Sequence, residues 1–210
     1  MRMRILLPLI GLLALGACKE EKKAEKTDTA TPPAASAAAS ANPTVAQSPG
    51  EKTGANSALG VSPSTADFVT QAAISDMFEI QTSQLALQQS DEPTKAYAKQ
   101  MITDHEKTSG EMKGMVQGGK IQATLPTALD STHQGKLDKL KDLKGNDFTK
   151  QYHKDQVKAH KDAVDLFQRY AKGGDNSELK AWAAKNQPAL EHHLQMAQDL
   201  DKWHSPKRRT

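Results

Sequence analysis

One carboxylate and three imidazoles, Glu79, His105, His160 and His193, interrupt stripes that otherwise carry Phe, Tyr, Leu and Met at helical spacing. A buried charge or ring nitrogen costs free energy unless it has a partner. A single such residue reads most simply as a core side chain hydrogen-bonded to a neighbour. Four at one height are a different matter. Glu79 lies about 13 residues into the first apolar-periodic segment, His105 and His160 sit at similar depth in the second and third, and at about 1.5 Å rise per residue all four heights, His193 included, agree to about 5 Å. A Glu with three His is a compact ligand set for one borderline divalent ion, zinc, iron or copper. The same residues could instead satisfy one another as a metal-free hydrogen-bond network that fixes helix register.

Other polar residues are candidates for a supporting or alternative part. Asp76 precedes Glu79 by one turn and could join the layer. Asp104 lies about 100° around the helix from His105, so it either orients a neighbouring His or faces solvent. His153 and Gln156 share the face of His160. His192 and Glu191 point away from His193, and His133 and His204 lie near segment ends. Met101, Met112, Met115 and Met196 would suit soft copper chemistry, but Met at helical spacing is ordinarily core filler.

The elements that must position these residues are helices. From Thr65 to about Trp203 apolar residues recur every three or four positions, no alternating strand pattern of useful length occurs, and Gly and Pro fall at boundaries. The first segment opens at Thr65 as its cap, and the second at Ser90 or Asp91, with Pro93 in the first turn where its missing N–H costs nothing. Gly118-Gly119 ends the second, and a longer connection holds a short helical piece around "HQGKLDKLKDL". The third runs from Asp147 to the Gly173-Gly174 pair. The fourth starts at Asn176 or Ser177 and contains Pro188, which predicts a mid-helix kink. The expected fold is all-α: an antiparallel four-helix bundle over residues 65–204, with a short extra helix between the second and third.

The chain ends carry other signals. "MRMRILLPLIGLLALGAC" has two arginines, an apolar run and then small residues, the layout of a secretory signal. The run is too short to cross a bilayer, which takes roughly 20 apolar residues. Leu15-Gly16-Ala17-Cys18 resembles the bacterial lipoprotein signal, so residues 1–17 are expected to be removed and Cys18 to be lipidated. Cys18 is the single cysteine, which leaves no thiol for disulfides or catalysis. Residues 18–64 are rich in Ala, Ser, Pro and Thr, cannot offset the entropy of ordering, and read as a disordered tether. Lys19 after the lipidated Cys favours the outer membrane, facing the periplasm. Net charge is +3 over 210 residues with both signs interspersed, and only the tail 205–210 is basic, which argues against a nucleic-acid partner.

"FVTQAAISDMFEIQTSQLAL", "AKQMITDHEK", "DFTKQYHKDQVKAHKDAVDLF" and "PALEHHLQMAQDL" together resemble the bacterial ferritin-like family called domain of unknown function 4142, whose members are mostly regarded as outer-membrane or periplasmic proteins. The resemblance spans residues 66–202 and implies that Glu79, the Asp104-His105 pair, His160 and His193 are the family's signature polar positions. It assigns no activity. The sequence departs from ferritin-like di-iron proteins, which use a Glu-x-x-His pair on two helices. Here Ile102, Val157 and Leu190 stand three residues before the histidines, leaving too few carboxylates to bridge two irons. No Ser–His–Asp set, phosphate loop or H-E-x-x-H motif points to an enzyme. The expectation is a lipid-anchored envelope protein that binds one metal ion for buffering or stress protection. The alternative is a metal-free structural or interaction protein.

Overall fold

The computed structural model describes residues 60–204. The expected signal peptide, the lipidated Cys18, most of the tether and the basic tail lie outside the described residues. The described residues are all-helical, with four long helices and one short one: α1 (Thr65–Gln89), α2 (Glu92–Gln117), α3 (Ser131–Asp142), α4 (Gly145–Gly173) and α5 (Ser177–His204). None is long and apolar enough to cross a membrane.

Local chemistry accounts for the boundaries. α1 begins one residue earlier than the sequence suggests, because Ser64 and not Thr65 is the cap. The Ser64 hydroxyl accepts from the Asp67 N–H at 3.2 Å and donates to the Asp67 carboxylate at 2.8 Å. Thr65 is used elsewhere, bonding the Tyr170 hydroxyl at 2.6 Å. Asp91 caps α2 through the Thr94 N–H at 3.0 Å, and the two-residue link Ser90-Asp91 forces α2 back along α1. At its far end Gly119 adopts φ +73°, and the Lys120 and Gly119 N–H groups return to Met115 and Val116 at 3.1 Å each, a Schellman termination that only glycine adopts without strain. Asp130 caps α3 and Asn176 caps α5, each through a backbone N–H three residues on. α5 is continuous through Pro188. The end of the expected tether is held down: Pro63 is buried, and Arg169 donates to the Val61 carbonyl at 2.7 Å.

α4 and α5 make the most extensive pairing, followed by α1 with α2 and α1 with α4. The apolar side chains fall into two main groups. Phe68, Phe167, Tyr170 and Trp182 form the centre of one, with the Phe68 ring stacked on Tyr170 at 4.2 Å and edge-on to Phe167 at 5.0 Å. Tyr97, Met101, Phe148 and Tyr152 form the centre of the other. Along each long helix the two groups are separated by buried polar positions: Asp76 and Glu79, then His105, then Gln156 and His160, then His193. The polar layer is thus enclosed above and below by hydrophobic core.

Candidate metal centre

Three of the four predicted residues bring ring nitrogens together within this layer. His105 on α2, His160 on α4 and His193 on α5 have ring centroids 5.4–5.6 Å apart, and each offers a nitrogen within 4.8 Å of one from each of the others. All three are at most 3% exposed.

Each ring is held from behind. His105 Nδ1 bonds Asp76 Oδ1 at 2.8 Å, and Asp76 Oδ2 in turn accepts from Thr108 at 2.9 Å and Ser109 at 3.0 Å. His160 Nδ1 donates to the Gln156 carbonyl, one turn earlier, at 3.0 Å. His193 Nε2 bonds Asp104 Oδ2 at 2.8 Å, and Gln100 braces the same oxygen at 2.6 Å. Carboxylates and carbonyls accept, so these nitrogens carry the hydrogens, and in the neutral form of each ring the lone pair lies on the other nitrogen. Those other atoms, His105 Nε2, His160 Nε2 and His193 Nδ1, are buried with no hydrogen-bond partner. Unpartnered nitrogens converging from three rings are what a cation would satisfy once His105 gives up its second proton, and rings fixed by outer partners are the usual setting of metal-binding histidines. Bonds of about 2.0–2.1 Å to one ion would put the nitrogens about 3.4 Å apart, inside the 4.8 Å within which they lie here.

Glu79 stands beside the set. Its carboxylate comes within 4.0 Å of His160 Nδ1, the nitrogen already engaged by Gln156, and neither oxygen has a hydrogen-bond partner. Asp76 and Asp104 are partners of the rings. Gln156 contributes its backbone carbonyl, while its side chain accepts from Tyr97 at 2.9 Å. His153 lies elsewhere: two helical turns from His160, or about 10 Å along the axis, it bonds Thr94 at 2.9 Å and packs on His204 at 4.7 Å. The sequence reading did not single out Thr108 and Ser109. Their spacing of three and four residues from His105 was the available signal, since it places them on the same helix face.

A family profile described as Domain of unknown function (DUF4142) matches residues 50–200. The chain belongs to this family. A comparison with curated proteins gives no match. Among solved structures the DUF4142 chain is similar to "CopM in the Cu(II)-bound form", at 19% identity and a TM-score of 0.56, covering 68% of this chain and 99% of that one. At that identity the likeness is one of fold.

Electrostatics in the DUF4142 site favour neutral rings at two positions. Burial, reinforced by the His105 charge, pushes His160 well below the usual histidine range, and the same causes lower His193 against the pull of Asp104. Burial also works to lower His105, but the Asp76 hydrogen bond and charge, with Glu79 and Asp104, outweigh it and leave the ring raised. Burial pushes the Glu79 carboxyl up to about 7, with His105 and the Gln156 amide limiting the rise. A recess of about 110 Å³ reaches His105 and His193 from the surface, with Asp76 and Asp104 in its wall.

Proposed function

We propose that this DUF4142 protein binds one divalent transition-metal ion through His105, His160 and His193, and that it buffers or stores that ion in the bacterial envelope. The observation that carries the reading is the trio of buried, unpartnered ring nitrogens, each on a ring oriented by a second partner. Three imidazoles without a thiolate suit zinc, copper or iron. The Cu(II)-bound state of the structurally similar CopM supports copper as the first ion to test. Glu79 serves as a nearby charge that can move to a fourth position once the ion is present. A metal-free network is the weaker reading, because a self-satisfied network would not leave three ring nitrogens without partners.

The finer architecture in this proposal is an antiparallel, ferritin-like four-helix bundle, with α3 an addition to the link between its second and third helices. The bundle is carried on a tether from a lipid on Cys18, in the outer membrane and facing the periplasm. The role is binding, not turnover, and the partner is the membrane through its lipid, not nucleic acid.

Metal analysis of the chain purified without chelator or affinity-tag histidines is expected to give about one ion per chain, the ratio the one-site reading requires. His160→Ala and His105→Ala are each expected to lose it. A parent protein that takes up no zinc, copper or iron would overturn the proposal.

A further inference from the structure

The recess beside the rings has a composition that suits a route for cations. It opens between α2 and α5, and its volume of about 110 Å³ is ample for a hydrated ion to enter with several waters. Its wall includes His105 and His193, two of the rings with an unpartnered nitrogen, and the carboxylates of Asp76 and Asp104. Lys107 is the opposing charge in the wall. Glu79 and His160, by contrast, are 1% exposed and do not line it.

Asp104 occupies a distinctive position in this wall. Its side chain is 31% exposed, while that of the His193 it holds is 4% exposed. The bonds from Gln100 and His193 both go to Oδ2, which leaves Oδ1 to meet an arriving cation. A carboxylate at a partly enclosed mouth raises the local concentration of cations and their rate of capture.

We propose that this recess is the port through which a hydrated divalent cation reaches the ring nitrogens, with Asp104 as its first docking point. The inference rests on the metal-binding reading above. It makes loading possible without separation of the helices. The ion sheds water in the recess, meets His193 and His105, and ends against His160, the innermost ring.

The test is the rate of Cu²⁺ loading into the full-length chain, and the rate of its removal by a chelator, both followed by a competing indicator dye. Asp104→Asn is expected to slow loading by about tenfold, and by more at low ionic strength, as loss of a steering charge requires. Ala189→Phe places a ring in the exposed rim of the recess. It is expected to slow loading and removal alike while the amount of ion bound per chain stays the same. Ala184→Phe, exposed on the same helix and outside the recess, should match the parent. One bound ion per chain with parental rates in Ala189→Phe, or equal slowing by Ala184→Phe, would overturn the port alone. A parent chain that binds no Cu²⁺ would overturn the port together with the metal site.

Discussion

In metal-free protein at pH 8, Glu79→Gln is expected to be more stable than the parent by about 3 kcal/mol, and to lose that advantage near pH 4. The reason is the burial of the carboxyl, which outweighs the pull of His105 and the Gln156 amide. Burial raises its pKa from 4.5 to about 7. Between those values the folded chain still holds a proton that the unfolded chain has released. Stability therefore falls as pH rises past 4.5 and levels off above about 7, the reverse of the usual salt-bridged carboxylate. A span of about 2.5 pH units at about 1.4 kcal/mol each gives about 3 kcal/mol. Glutamine keeps the shape and cannot ionise. Urea titrations of both chains from pH 4 to pH 8 measure the difference, and subtraction removes the contributions of His160 and His193, on which the Glu79 charge does not act. His160 and His193, whose pKa values are lowered, contribute stability present above the unfolded histidine value and lost as pH falls. The parent is thus weakened at both ends of the range. A Glu79→Gln chain no more stable than the parent at pH 8 would mean that the fold satisfies the Glu79 carboxylate.

The second expectation is thermal. At a free-ion concentration of about one hundred times Kd, binding to the folded state alone adds about 2.7 kcal/mol. For a domain of this size that corresponds to a rise in Tm of about 8 °C. The ion ties α2, α4 and α5 together through one ring each, so the gain should appear in the cooperative unfolding of the whole helical domain. His160→Ala removes the innermost donor, and its Tm should not move when the ion is added. Calorimetry with and without Cu²⁺ or Zn²⁺ decides the point, and an equal rise in parent and variant would place the ion elsewhere. The added positive charge also favours ionised Glu79, so the pH dependence of the first comparison should shrink in metal-loaded protein.

Much of this was legible before any coordinates. Helical periodicity located the four long helices because each has an apolar stripe broken at only a few polar positions, with cap candidates at Ser90 or Asp91 and at Asn176 or Ser177. Depth along those helices brought His105, His160 and His193 to one layer. What depth cannot supply is position across the layer. Glu79 has the right height, yet it lies against the far nitrogen of His160. His153 shares a face with His160, yet two turns along the axis it meets a different set of neighbours. Asp104 was ambiguous for a related reason. Its partner His193 is 89 residues away on α5, and the rotation of one helix against another decides whether such a side chain faces solvent or a ring. Spacing within a helix carries no information about that rotation. The cap of α1 was misplaced by one residue because Ser64 and Thr65 are both good caps, and the bond from Thr65 to Tyr170 on α4 settles which is used.

The way the rings are held also makes the donors unequal. His105 and His160 keep a lone pair on Nε2, whereas His193, its Nε2 taken by Asp104, keeps one on Nδ1, an atom one bond nearer its own backbone. An ion among them could have no threefold axis, and its ligand field would be of low symmetry. The inequality also implies an order of departure. His160 is anchored to its own helix, and His105 to a carboxylate with two further supports. The support behind His193 is the partly exposed one. Release would then begin with a single ligand at the outer edge, where the freed position would be within reach of an external acceptor.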